Sequence, residues 1–221
     1  MSYYKRFGII IGTPLWRRYI RRQYEQGVID LLQLGYKPHF ERKGFTCLLC
    51  GVGNEVTADE YIGFVLRKNP DARIWIIDLG EEQIIAVKKM VKSKYKGEDI
   101  IVKQVNALDL EKIVKLVSID WIETDAVWEF FDYKSLKQLL DVWKKILKAD
   151  GFVTTSATSY GGWWGRMVDQ FKIWIGKKWL KVRVYSHERA KLHKLIRDSD
   201  YEFCERSTLM PYFRRYSMIL R

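Results

Sequence analysis

Residues 46–78 read TCLLCGVGNEVTADEYIGFVLRKNPDARIWIID: an apolar run, a Gly-x-Gly turn, a helical stretch, a second apolar run and a terminal carboxylate. This order predicts a strand–turn–helix–strand unit that cradles a nucleotide-like ligand. Gly51 and Gly53 let the backbone turn tightly and approach the ligand, the helix offers its N-terminus, and Asp78 can accept hydrogen bonds from a ribose. A dinucleotide fingerprint would need a third glycine for close helix–strand packing, but Asn54, Glu55 and Val56 follow Gly53, and Glu55 puts a negative charge where a pyrophosphate would lie. A P-loop is excluded as well, because no Gly-Lys-Ser/Thr follows the turn.

A cationic cofactor without phosphates tolerates such a loop, and the stretch resembles the class I S-adenosylmethionine-dependent methyltransferases. LLCGVGNEV at 48–56 is similar to the glycine-rich first motif of that family, and IWIIDLGEEQI at 74–84 to its second strand ending in the ribose-binding acid. VNALDL at 105–110 resembles the segment bordering adenine, and LKQLLDVWKKILKADGFVTTSA at 136–157 the helix, turn and fifth strand. The resemblance implies S-adenosylmethionine as cofactor, with Gly51, Val52, Gly53 and Asn54 around its methionine part. It implies Asp78 and Leu79 at the ribose and Asn106 and Ala107 at the adenine edge. The chain departs from the family at Leu49, where an acid is usual, at Asn106, where Asp is common, and at Ala149-Asp150-Gly151 in place of Pro-Gly-Gly.

The expected fold is α/β: a seven-stranded, mostly parallel Rossmann-like sheet with a C-terminal antiparallel hairpin and helices on both faces. Strands are expected at about 74–78, 100–105, 124–130, 151–156, 201–207 and 212–220, after the first at 46–50. An alternating order of this kind builds a parallel sheet. YEFCERS and YFRRYSMIL are separated only by Thr208 to Pro211, which demands an antiparallel hairpin. With 221 residues, 48% of them hydrophobic, one domain spans 1–221, with a helical cap over 1–44 and a helical lid insertion over 158–185. In the cap, Thr13 reads as N-cap, Pro14 as first helical residue and Gly35 as stop, with Trp16, Ile20, Tyr24, Val28 and Leu31 on one stripe. Thr57 and Glu60 read as a capping box for the helix after the glycine turn.

No run of apolar residues is long enough to span a membrane, and the N-terminal stretch lacks a secretory cleavage pattern, so a cytoplasmic protein is expected. Cys47, Cys50 and Cys204 make an odd count, which argues against a disulfide framework. Cys47 and Cys50 read as small buried hydrophobes rather than metal ligands, and no metal is expected. The net charge of +12 is uneven: +6 over 1–45, −2 over 46–157 and +8 over 158–221. The excess sits in the flanks that in this family build the acceptor side, which fits anionic surroundings.

Within the lid insertion, Trp164, Met167, Val168, Phe171, Trp174 and Ile175 recur at helical spacing beside lysines; Trp163, Trp164, Met167, Phe171 and Trp174 are the expected lid residues, with Trp179 close behind. Three readings are open: a lid over a small apolar or aromatic acceptor, a stripe packed in the core, and a helix in peripheral contact with an anionic membrane. For proton transfer the candidates are Tyr133, placed just beyond the fourth strand, and His187. With Ser186 as N-cap, His187 reads as a first-turn surface residue. The function expected is methyl transfer to a small molecule; the alternatives are an RNA methyltransferase, suggested by the basic flanks, and a non-catalytic methyltransferase-like binding protein.

Overall fold

The structure, a computed structural model, describes residues 12–185, 187–210 and 213–221, without the side chains of 179 and 180. The N-terminal stretch, the proposed Ser186 cap, the hairpin residue Pro211, the strand start at Tyr212 and the Trp179 side chain therefore lie outside the described residues.

The elements are α1 (Pro14–Leu32), β1 (Thr46–Cys50), α2 (Glu55–Lys68), β2 (Arg73–Asp78), α3 (Glu81–Lys94), β3 (Ile100–Gln104), β4 (Ile119–Asp125), α4 (Tyr133–Ile146), β5 (Leu147–Thr158), α5 (Gly162–Ile175), α6 (Arg189–Asp198), β6 (Tyr201–Ser207) and β7 (Phe213–Leu220). The strands form one sheet in the order β3-β2-β1-β4-β5-β7-β6. Strands β1 to β5 are parallel, and β7 pairs antiparallel with both β5 and β6. The expected architecture is thus observed, with β7 inserted between β5 and β6.

Side-chain alternation along β1 explains the two packed faces. Cys47 and Leu49 enter a core with Tyr24 of α1, Tyr61 and Phe64 of α2, and Trp121. Leu48 and Cys50 enter the opposite core, built with Leu136, Leu140 and Trp143 of α4 and Ile196 of α6. Both Cys47 and Cys50 are fully buried, as expected of small hydrophobes, and burial pushes both thiols up.

The first helix starts as its sequence dictates: Thr13 Oγ1 accepts the Trp16 N–H at 3.3 Å and Pro14 is the first helical residue. It packs on α2, where Arg17 and Arg21 bind Glu60 and Arg17 also binds Asp59. Glu60 is therefore not part of a capping box. The cap of α2 is Asn54, three residues before the expected cap Thr57, and its side chain accepts from the N–H groups of Val56 and Thr57 at 3.0 and 3.2 Å. Asn54 satisfies the first-turn donors at the end of the glycine turn, so the helix needs no second start signal.

A second correction concerns β4, expected at 124–130 but found at Ile119–Asp125. WEFFDY is a short 3-10 turn, Trp128–Phe130, leading into α4, with Asp132 capping that helix through Ser135 at 2.8 Å. Three carboxylates in IDWIETD hide the strand from a periodicity reading. The structure neutralises the most buried, Glu123, with Arg215 of β7. Strand β5 is also longer than expected, starting at Leu147 rather than 151.

Candidate functional site

All five parallel strands end at the same edge of the sheet. The order reverses between β1 and β4, the switch point at which open α/β sheets bind ligands. At the end of β1, Gly51 has φ +86°, and a Cβ there would lie 2.3 Å from Val127 Cγ2, so glycine alone fits. The Asp78 carboxylate closes the turn from the neighbouring strand: Oδ2 accepts the Val52 N–H and Oδ1 the Gly80 N–H, both at 2.6 Å. Burial raises the Asp78 pKa, opposed by these backbone donors. Each oxygen keeps a lone pair for another donor.

Leu79, beside it, is among the exposed large hydrophobic residues, and its carbonyl is held by Gln104 at 3.0 Å. At the end of β3, Asn106 caps the 3-10 turn Ala107–Lys112 through the Leu108 N–H at 3.0 Å. The edge thus brings Gly51, Val52, Gly53, Asp78, Leu79, Asn106 and Ala107 to three adjacent strand ends. Asn54 is buried and engaged as the α2 cap, so its side chain belongs to the turn rather than to a ligand. Leu49, at the position where an acid is usual in the family, is buried in the core.

A cavity of about 340 Å³ opens beyond the end of β5. Tyr160, Val168, Phe171, Ile175 and Phe213 give it apolar walls, while Thr158, Asp169 and Lys172 supply polar groups. Lys172 ties its base together: Nζ donates to Thr158 Oγ1 and lies 3.0 Å from Asp169 and 3.6 Å from Glu129. Glu129 is buried and accepts the Thr158 N–H at 3.2 Å, so the ends of β4 and β5 and helix α5 share one polar cluster. The cradle at β1 and the cavity at β5 are two strand spacings apart, about 10 Å.

Of the expected lid residues, Phe171 lines this cavity. Trp163, Trp164, Met167, Phe171 and Trp174 are 62%, 64%, 54%, 61% and 52% exposed, while α5 buries only Gly165 and Asp169. These five residues are therefore not packed core, while Val168 and the half-buried Ile175 of the same stripe turn to the cavity. Gly165 makes the close approach, since a Cβ there would sit 3.1 Å from Tyr160 Cβ, and the small inward side leaves the aromatic side outward.

Tyr133 and His187 stand together, their rings 5.2 Å apart and edge-on. Tyr133 is the first residue of α4, eight residues past the end of β4, and its hydroxyl accepts the Glu188 N–H at 2.8 Å. His187 is 1% exposed rather than on the surface, and it precedes α6 instead of lying in its first turn. Its Nε2 lies 2.9 Å from the Trp128 carbonyl, so that nitrogen carries the proton, and burial lowers its pKa and keeps the ring neutral. Both side chains fasten the segment entering α6.

A group that the sequence reading passed over stands at the end of β4. Asp125 Oδ1 is buried without a hydrogen-bond partner among the described residues, and burial pushes the carboxyl up to about 7. The carboxylates of Glu123 and Glu129 push it the same way, against Arg215. Such a carboxyl can take a proton near neutral pH. An apolar strand ending in a carboxylate was the signal that marked Asp78, and IDWIETD carries it too; placing β4 too late concealed it. Among the described residues no cluster of His, Cys, Asp and Glu could hold a metal.

No protein-family model matches the sequence, and no curated protein is found to match it. Solved structures do resemble it. An O-methyltransferase family protein from Burkholderia thailandensis has a TM-score of 0.63 at 14% identity, over 86% of this chain and 55% of its own. The mitomycin 7-O-methyltransferase MmcR gives 0.62 at 12%, over 100% of this chain and 61% of its own. The chain thus spans little more than half the length of those two proteins. Magnesium protoporphyrin IX methyltransferase (ChlM) from Synechocystis PCC 6803, solved with bound SAH, gives 0.65 at 14%, over 99% of this chain and 94% of its own. With the strand order and hairpin described above, these likenesses show that the chain has the class I S-adenosylmethionine-dependent methyltransferase fold.

Proposed function

We propose that the protein is an S-adenosylmethionine-dependent methyltransferase acting on a small apolar or aromatic acceptor. The observation that carries this reading is the pairing, on one sheet edge, of the Gly51–Asp78 cradle with the apolar cavity under α5. The cradle fits the cofactor: Gly51 admits no side chain, and Asp78 is oriented by two backbone donors with acceptor capacity remaining. Gly51, Val52 and Gly53 would hold the methionine part, Asp78 and Leu79 the ribose, and Asn106 and Ala107 the adenine edge. When bound, the cofactor supplies a methyl group on a positively charged sulfur.

The chain's own task is then to position the acceptor and to manage its proton. Val168, Phe171 and Ile175 give the cavity an apolar wall against which an acceptor can be oriented, and orientation of this kind can supply much of the acceleration. Asp125, on the strand between cradle and cavity, is the group suited to take a proton from an O–H or N–H acceptor.

Calorimetric titration with S-adenosylmethionine tests the reading. Asp78→Ala should weaken binding by about tenfold or more, the loss of a charge-assisted hydrogen bond. Unchanged affinity removes the ribose role. If neither S-adenosylmethionine nor S-adenosylhomocysteine raises the melting temperature of the intact protein, the non-catalytic reading replaces this one. RNA binding that falls steeply with salt and is accompanied by RNA methylation would replace the small acceptor with RNA.

A further inference from the structure

We propose that the outward face of α5 is a docking surface for an anionic lipid bilayer. Trp163, Trp164, Met167, Phe171 and Trp174 form one exposed stripe along this helix. Trp163 stacks on Trp164 with ring centroids 4.0 Å apart, and Phe171 on Trp174 at 5.8 Å, so the stripe is continuous rather than a set of separated rings. A contiguous apolar patch of this kind marks an interaction surface.

Charge identifies the occupant. Between 158 and 185 the sequence has Arg166, Lys172, Lys177, Lys178, Lys181 and Arg183 against a single acid, Asp169. That acid is turned inward and engaged by Lys172. Lys178 lies over the Trp174 ring at 5.0 Å, which sets a cation at the level of the aromatic stripe. Tryptophan with lysine on one helix is the composition that settles at the boundary of headgroups and acyl chains. The 14 residues of α5 span about 21 Å, enough to lie in the bilayer plane. No helix of the described residues is long and apolar enough to cross a membrane.

Two other occupants fit less well. A second copy of the chain would face the stripe with the same basic rim, and like charges would oppose the pairing. Single-stranded nucleic acid stacks its bases on free ring faces, whereas these rings are stacked in pairs on each other.

The docking does not depend on methyl transfer, and its test reads no activity. The intact protein is sedimented with vesicles of phosphatidylcholine alone and of phosphatidylcholine mixed with phosphatidylglycerol, at low and high salt. Binding is expected only with phosphatidylglycerol present and should fade with salt. Removing Lys177 and Lys178 together, as K177A/K178A, should weaken it by about 25-fold, at roughly fivefold per lysine. W164A/W174A should weaken it by about tenfold or more with little change in melting temperature, because both rings are largely exposed. Absence of binding to anionic vesicles, equal binding to both vesicle types, or binding indifferent to both double substitutions would overturn the proposal. So would a dimer or an RNA complex that is abolished by W164A/W174A while vesicle binding persists.

Discussion

Trp121 and Trp164 are the same residue type put to opposite uses. Trp121 on β4 is fully buried, ringed by Tyr24, Phe40, Tyr61, Phe64 and Phe152 at centroid distances of 4.9 to 6.3 Å, and its Nε1 donates to Thr154 Oγ1 at 2.6 Å. Trp164 on α5 is 64% exposed and, among the described residues, stacks only on its neighbour Trp163. The β4 region is a close-packed structural core, whereas the α5 flank is a surface whose apolar side faces away from the protein. A large aromatic side chain contributes stability only where the fold surrounds it.

The sharpest way to break the comparison is to delete both rings in turn. Trp121→Ala should cost about 3–5 kcal/mol, read from equilibrium denaturation, because it opens a cavity that five packed rings cannot close and removes the donor to Thr154 Oγ1, which keeps only its own bond to Glu123. Next comes the ion pair that links the same strand to β7. Glu123 and Arg215 are 0% and 1% exposed and bonded at 2.8 and 2.6 Å. Glu123→Ala should therefore cost about 3–5 kcal/mol by leaving a buried guanidinium unpaired, whereas E123M/R215L should recover most of that loss. If the double substitution is as destabilised as the single one, the pair contributes more than its own neutralisation.

Asp125 gives a smaller effect with a defined sign. Its folded-state pKa, about 7, lies above that of an unfolded aspartate, so between about pH 4 and 7 the folded state holds a proton that the unfolded state has released. Stability should fall as pH rises through that window, and Asp125→Asn should flatten the slope in denaturation measured across it. If Asp125 also takes the acceptor's proton, the rise in kcat/KM through about pH 7 should vanish in the same variant. The smallest expected effect is on the exposed flank: Trp163→Ala or Trp164→Ala should change stability by no more than about 0.5 kcal/mol, checked by the same denaturation. A loss comparable to that of Trp121→Ala would mean that α5 packs on the domain through its aromatic side.

Much of the cradle was legible because its signals are local. Gly51 is dictated by its own backbone angle, and Asp78 by its place at the end of an apolar run. The acceptor side was legible only in outline. Helical spacing in α5 reported that one side is apolar, yet spacing carries no information on what covers that side. His187 looked like a first-turn surface residue because of the apparent cap before it. Only the Trp128 carbonyl, 59 residues earlier in the chain, makes it a buried and neutral ring.

By itself, then, the sequence determined the strand–turn–helix–strand cradle, the C-terminal hairpin, the start of α1 at Thr13 and the basic flanks. Each is set by residues adjacent in the chain: a positive φ that only glycine adopts readily, a linker too short for a crossover, a cap and its proline, and a count of charges. Tertiary structure alone decided the bounds of β4, the burial of Glu123 and His187, the enclosure of Asp125 Oδ1, and the outward turn of α5. A carboxylate within a strand reads as exposed until a guanidinium 92 residues away reaches it, and an apolar stripe reads as buried until the opposite side proves small enough to pack first.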